Sequence, residues 1–162
     1  MLKLSTRGRY GLRAMVRLAR GHGEGPVLMS AISKREEVSR KYLHTLLTAL
    51  REAGLVTSAR GARGGYSLAR PPGEIRVSEV LEALEGEVVL VDCLSEEGCC
   101  ALEERCSVRG VWKRMNDAVV AVLDDVTLAD LVRDTPMASD GECAGARPAR
   151  RRRARSRKGE AR

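Results

Sequence analysis

The chain has 162 residues, which suits one modest domain with appendages, and its core must be aliphatic because it contains no Phe, one Trp and three Tyr. Its net charge of +7 is unevenly divided: 15 basic against 5 acidic residues over 1–76, 5 against 16 over 77–146, and 9 against 1 over 147–162. No apolar stretch near the start is long enough for a signal peptide or a membrane span, so we expect a cytoplasmic protein without membrane contact. A basic half beside an acidic half is typical of a nucleic-acid-binding protein with a second function.

Three helices are predicted in the basic half. The first begins near Thr6 and ends at about Gly21, and a short second helix covers about residues 30–37. The third lies in SRKYLHTLLTALREAGL (39–55), where Ser39 is the expected N-cap and Gly54 the expected C-cap. Its apolar face consists of Leu43, Leu46, Leu47 and Leu50.

A β-hairpin is predicted over residues 55–70, where alternating residues flank a turn rich in glycine and arginine. Three helices followed by a basic hairpin indicate a winged helix-turn-helix, so the expected fold class is mainly α with a small β-hairpin wing. The start of the third helix carries side chains suited to base edges and phosphates, namely Arg40, Lys41, His44 and Thr45. The hairpin turn adds Arg60 and Arg63, and arginine suits a narrow minor groove. A solvated face with a flexible turn is the plainer explanation, but three elements together favour DNA binding.

In the acidic half, Ser78 is the expected cap of a helix over VSEVLEALEG (77–86). A long helix is predicted over residues 108–126, with apolar residues spaced four and three apart: Val108, Trp112, Met115, Val119, Val122 and Val126. So narrow a seam favours a pairing helix in a homodimer over a helix lying on its own core. Residues 135–162, which include Cys143 and an arginine run, are expected to be a disordered basic tail that contacts DNA phosphates or only aids solubility.

Four of the five cysteines lie in residues 92–107, at Cys93, Cys99, Cys100 and Cys106. In the cytoplasm such a group more often binds metal or senses redox state than forms disulfides. Thiolates suit an iron–sulfur cluster, while zinc, reversible thiol oxidation and purely structural thiols remain as alternatives. Neighbouring side chains diverge, so we expect only one of Cys99 and Cys100 to reach a given iron. A fourth ligand could be Cys100, Glu103, Glu104 or a small molecule.

Three stretches together resemble the Rrf family of bacterial winged-helix regulators, which includes the IscR, NsrR and CymR types: LSTRGRYGLRAM (4–15), SRKYLHTLLTALREAGLVTSARGARGGYSLAR (39–70) and VSEVLEALEG (77–86). The resemblance covers about residues 1–132. It implies a homodimer with a long dimerisation helix that binds a two-fold-related operator in double-stranded DNA. The residues that it assigns to the recognition helix and the wing are Ser39, Lys41, Tyr42, His44, Thr45 and Arg60. IscR-like relatives tend to have an acid and an amide at the positions of His44 and Thr45, so the resemblance does not give the operator sequence.

The resemblance also implies that three cysteines hold an iron–sulfur cluster, [2Fe–2S] or [4Fe–4S]. The matching positions are Cys93, Cys99 and Cys106, with Cys100 as an alternative or fourth ligand. The histidine that IscR-like relatives supply three residues after the last cysteine is Arg109 in this chain. The N-terminal acid of NsrR-like relatives has no counterpart at residues 7–9, so the fourth ligand is left open.

Five regions follow from these patterns: a DNA-binding domain over 1–76, a connection over 77–91, a sensor loop over 92–107, a dimerisation helix with a short following helix over 108–134, and the tail. The expected function is a transcription regulator, usually a repressor, that senses redox, iron or nitric oxide status. Alternatives are a regulator using thiol oxidation or zinc, or a cluster-handling protein, against which the basic wing argues. No Ser-His-Asp set, phosphate loop or paired-carboxylate pocket indicates an enzyme.

Overall fold

The structure, a computed structural model, describes residues 5–61, 64–95 and 105–134. Its helices and strands in chain order are α1 (Thr6–Arg20), α2 (Met29–Glu36), α3 (Arg40–Glu52), β1 (Val56–Ala59), β2 (Gly65–Leu68), α4 (Val77–Glu85), α5 (Arg109–Asp125) and α6 (Leu128–Asp134). This order confirms the predicted fold class, a winged helix-turn-helix followed by a long helix. The predicted basic tail lies outside the described residues.

Local side-chain and backbone hydrogen bonds define both ends of α3. The Ser39 hydroxyl accepts a hydrogen bond from the Tyr42 N–H at 3.2 Å, which confirms the serine N-cap. At the other end the C-cap is Ala53, one residue earlier than expected. Gly54 follows it with a φ of +73°, and the Leu55 N–H then donates to the Leu50 carbonyl at 2.9 Å. Glycine is favoured there because other residues rarely adopt that φ.

Helix α4 begins earlier than predicted. The expected cap at Ser78 is wrong, because the helix starts at Val77 and its cap position is Arg76. Glu79 supports this start, because its carboxylate accepts the N–H of the cap residue Arg76 at 3.0 Å and so satisfies one backbone donor at the helix end.

The core is aliphatic and lies between α1, α2, α3 and α4. The leucine face of α3 is buried, as predicted, and it shares one cluster with side chains from the surrounding helices: Met15, Leu18, Ile32, Val80 and Leu84. Full burial of each such side chain stabilises the fold by about 1.5–3 kcal/mol. The opposite side of α3 is thereby turned to solvent.

Two glycines let α1 and α4 approach closely. A Cβ atom on Gly11 would lie 2.1 Å from Cδ1 of Leu84, and one on Gly8 would collide with the carboxylate of Glu85. The Ser5 hydroxyl also donates to Oε1 of Glu85 at 2.8 Å. The helix that follows the wing is therefore seated against the first helix of the chain.

The wing is anchored to the segment that precedes α2. Strands β1 and β2 are antiparallel, with Val56 opposite Leu68 and Ala59 opposite Gly65. Val27 adds a short third edge, since its N–H and carbonyl bond to the backbone of Tyr66 at 2.8 and 2.9 Å. This arrangement ties the hairpin directly to the helix-turn-helix.

The chain returns to the start of α4 after α5. The Val77 N–H donates to the Val126 carbonyl at 2.9 Å, and the Leu128 N–H donates to the Ile75 carbonyl at 3.0 Å. Leu128 is buried in the core and fixes the position of α6. None of the helices in the described ranges has the length and apolar character needed to cross a membrane.

We expect Gly11→Val to lower the free energy of unfolding by about 1–3 kcal/mol, because the new side chain overfills the contact with Leu84. Gly73→Val is the matched control, since a Cβ atom there would meet Ala129 at an ordinary 3.9 Å. Urea titration followed by circular dichroism measures both. Equal stability of the two variants would contradict the close α1–α4 packing.

A pH-dependent contact joins the wing to α4. Arg70 pairs with Glu79 at 2.6 Å. Partial burial raises the pKa of Glu79, but hydrogen bonds from the Arg76 N–H and the Arg70 guanidinium outweigh it and hold that pKa below its ordinary value of 4.5. A lowered carboxyl pKa stabilises the fold fully above the unfolded-state value and loses this effect as the pH falls through the folded-state value.

We therefore expect Glu79→Gln to lower the melting temperature at pH 7, with the difference from the unmodified protein shrinking as the pH falls below 4.5. Thermal unfolding between pH 3 and pH 7 tests this. Glu82→Gln, on the same helix but exposed, is the control. A difference that stays constant over the whole range would show that the Glu79 carboxylate does not carry the effect.

Candidate nucleic-acid interface and cysteine segment

The start of α3 presents a polar and basic face to solvent. The side chains predicted to bind DNA, Arg40, Lys41, His44 and Thr45, are all exposed. They lie on one face because they are spaced three or four residues apart, opposite the buried leucines. The Thr45 hydroxyl donates to the Lys41 carbonyl at 3.3 Å. This face offers two cations, an imidazole and a hydroxyl, which are groups that bind phosphates and base edges.

The other two residues predicted on this helix have structural contacts. Ser39 uses its hydroxyl as the N-cap of α3. Tyr42 is half-buried, and its ring meets the ring of Tyr10 edge to face, with centroids 6.3 Å apart and planes at 89°. An edge-to-face pair contributes about 0.5–1.5 kcal/mol beyond its burial. Ser39 therefore defines the start of α3, and Tyr42 fixes that start against α1.

A second group of contacts, not predicted from the sequence, joins α1 and α2 beside this face. The guanidinium of Arg13 lies 5.6 Å from the centroid of the Tyr10 ring, and its Nε pairs with Oε2 of Glu36 at 2.5 Å. Glu36 is only 8% exposed, and Arg13 provides its counter-charge. The guanidinium of Arg9 is 6.0 Å from the same ring. The sequence shows that Tyr10 and Arg13 are three residues apart, as neighbours on a helix are. It does not show the contact of Arg13 with Glu36, because Glu36 comes from another helix.

The turn of the wing carries Arg60, which is exposed directly after β1. Gly61 has a φ of +106°, and a Cβ atom on Gly64 would lie 2.4 Å from the Ala59 carbonyl oxygen. The turn therefore requires glycine at both positions, as close backbone packing does. Arg63, the other predicted wing residue, lies outside the described residues.

The structure describes both ends of the cysteine segment. Cys93 lies in the short 3₁₀ helix Asp92–Leu94, and Cys106 lies just before α5. Both thiols are half-buried and free. The predicted ligands Cys99 and Cys100, together with Glu103 and Glu104, fall outside the described residues. Within residues 5–61, 64–95 and 105–134, no three potential metal ligands are grouped together.

Arg109, at the position where a fourth ligand was sought, contacts the backbone of both described cysteines. Its Nη1 donates to the Cys93 carbonyl at 3.1 Å, and its N–H donates to the Cys106 carbonyl at 3.4 Å. Two turns further along α5, the side-chain oxygen of Asn116 accepts the Leu90 N–H at 3.0 Å. The contacts of Arg109 with Cys93 and of Asn116 with Leu90 could not be predicted, because they join residues 16 and 26 positions apart in the chain.

Helix α5 has two different faces. One lies beside α4 and lines a groove of about 580 Å³, whose walls include Val88, Val120 and Leu123 and the carboxylates of Glu82, Glu87, Asp117 and Asp124. The other is the predicted seam, and it is open to solvent: Trp112 is 36% exposed and Val122 62% exposed. The seam therefore does not lie on the core of the described part of this chain.

Comparison with known proteins agrees with this architecture. Residues 4–134 match the family model Rrf2, described as "Iron-dependent Transcriptional regulator". The HTH-type transcriptional regulator CymR of Bacillus subtilis is 43% identical over 141 residues, covering 87% of this chain and 94% of that protein.

Two solved structures are similar over most of the chain. The structure of CymR, titled the global cysteine regulator of B. subtilis, has a TM-score of 0.72 and 43% identity, covering 84% of this chain and 100% of the other. The structure of T. potens IscR has a TM-score of 0.68 and 39% identity, covering 87% of this chain and 93% of the other. Both the match over residues 4–134 and these relatives agree with the winged fold, so the chain belongs to the Rrf2 family of transcription regulators.

Proposed function

We propose that this protein is a DNA-binding transcription regulator, acting as a repressor, that recognises an operator with the exposed face of α3 and the wing. The observation that carries this proposal is the placement of Arg40, Lys41, His44 and Thr45 on one exposed face of a helix whose other face is the core. A recognition helix of this kind enters the major groove, and Arg60 on the wing reaches the adjacent backbone or minor groove.

The exposed seam of α5 supports a homodimer. Its apolar residues repeat every three to four positions, which is the spacing of helices that pair. Trp112 is 36% exposed and Val122 is 62% exposed, and α5 contributes no side chain to the core cluster of the described residues. Pairing two copies through this seam buries those side chains and sets the distance between the two recognition helices.

We further propose that the cysteine segment is the sensor, with Cys93, Cys106 and Cys99 holding an iron–sulfur cluster and Cys100 as the alternative ligand. Thiolates are the usual ligands of such clusters, and the two described thiols are free, half-buried and close in space to the start of α5. A bound cluster supplies a centre that responds to oxidation or to loss of iron. Arg109 is not a ligand, because a protonated guanidinium has no lone pair to give.

A second possibility is thiol oxidation without a cluster, or zinc binding by the same thiols. The specific observation that favours it is Arg109 itself, which occupies the place of the expected fourth ligand. The chain is also 43% identical to a relative whose structure is titled as a cysteine regulator. In either case the cysteine segment changes shape, and α5 carries that change to the spacing of the recognition helices.

The sensor proposal is tested by anaerobic purification of the full chain, followed by absorption spectroscopy and analysis of iron and acid-labile sulfide. We expect visible absorption and both elements after reconstitution, and we expect Cys93→Ala and Cys106→Ala to remove them. Cys143→Ala, in the basic tail, is the matched control that keeps the cluster. A colourless protein without iron after reconstitution would contradict the cluster and leave zinc binding or thiol oxidation as the basis of sensing. Metal analysis and thiol titration then distinguish these two.

The DNA proposal is tested with a duplex enriched by the full-length protein from a random pool. Arg60→Ala removes one cation from the wing, so we expect affinity for that duplex to fall by about 1–3 kcal/mol and the salt dependence to weaken by about one charge. Arg51→Ala, at the far end of α3, is the control with the same charge change. Gel filtration should show an unchanged oligomeric state. Equal affinities of the two variants would remove Arg60 from the interface.

A further inference from the structure

We infer that Arg109 is a positioning residue that fastens the cysteine segment to the first turn of α5, so that a change in the segment is transmitted to the dimerisation helix. That a change in the segment is transmitted to α5 rests on the proposed function, whereas the attachment of the segment to α5 by Arg109 does not. Its basis is that one side chain and one backbone group of the same residue contact both ends of the segment.

Arg109 contacts the backbone near both ends of the cysteine segment. The Arg109 guanidinium donates to the Cys93 carbonyl at 3.1 Å, and its backbone N–H donates to the Cys106 carbonyl at 3.4 Å. A charged donor makes the first of these a stronger bond than one between neutral groups. The carbonyls of Cys93 and Cys106 are therefore both hydrogen-bonded to Arg109 at the start of α5.

Two hydrogen bonds define the direction of the chain just before the cysteine segment. Leu90 is held by Asn116, and Cys93 is held by Arg109. The stretch from Leu90 to Cys93 therefore runs antiparallel to α5, and it is attached to the helix at two residues that are seven positions, or about two turns, apart.

The face of α5 that holds the segment is next to the exposed seam. Asn116 lines the groove beside α4, whereas Met115, the preceding residue, belongs to the exposed seam. Consecutive helical residues point about 100° apart, and a helix of this length moves as a rigid body. A displacement of Arg109 by the segment therefore turns or shifts the seam residues of α5 together.

The fastening is tested on reduced, metal-free, full-length protein by hydrogen exchange with mass spectrometry. We expect Arg109→Gln to speed exchange about tenfold in peptides covering residues 88–95, since one charge-assisted hydrogen bond is lost. Arg109→Lys should recover part of the protection, because an ammonium group donates to the same carbonyl. Lys113→Gln is the control, since Lys113 pairs with Asp117 and does not contact the segment. Unchanged exchange in Arg109→Gln would overturn the fastening.

The transmission is tested by the ratio of DNA affinities before and after treatment with hydrogen peroxide, and between iron-loaded and metal-free protein. In Arg109→Gln we expect the ratio to fall towards one, while reduced-state affinity stays within about twofold and the dimer is intact. Arg109→Lys should show an intermediate ratio. A full response in Arg109→Gln would overturn the transmission. If the unmodified protein shows no response to either treatment, the sensor proposal fails and transmission fails with it, while the exchange result still decides the fastening.

Discussion

The burial of four leucines on one side of α3 is the contact on which the rest of the molecule depends. Each of these side chains is almost fully removed from water, and together they hold α3 against α1, α2 and α4. A helix buried on one side must expose the other, so the same contact that stabilises the fold also presents the polar face. The core and the proposed DNA interface are thus two sides of one helix. The leucines already determine the orientation of α3, and the contact between the rings of Tyr10 and Tyr42 further fixes its start.

Helix α5 meets three requirements at once. It packs beside α4, it holds the stretch before the cysteines, and it leaves an apolar seam exposed. These functions occupy different faces, which a helical repeat permits because neighbouring residues point in different directions. Exposed apolar side chains such as Val122 carry a cost in solubility that pairing removes. The length and the regularity of α5 follow from this combination rather than from the core, which contains none of its residues.

Patterns that act over a few residues were predictable. The helical spacing of leucines, the serine cap of α3 and the β-hairpin each act within one element, and the structure confirms them, while the C-cap expected at Gly54 is Ala53. The cap of α4 was misjudged because the helix starts one residue before the serine, with Arg76 at the cap position and its N–H bonded to Glu79. Contacts between distant segments were not visible, as with Arg13 and Glu36 or Arg109 and Cys93. The spacing of the seam residues predicted which face of α5 is exposed, but it did not predict that Arg109 joins the cysteine segment to the helix.

The backbone pairing of Val27 with Tyr66 has a consequence for how this protein changes over evolutionary time. The pairing and Gly65, which leaves room for the Val27 carbonyl, secure the base of the hairpin. Among the described residues of the tip, Arg60, Gly61 and Gly64 do not belong to the core cluster. Substitution of Arg60 therefore has little effect on folding, while the two glycines of the turn and the base of the hairpin resist change. Paralogues descended from this chain would be expected to diverge in operator preference first at the tip and last at the base.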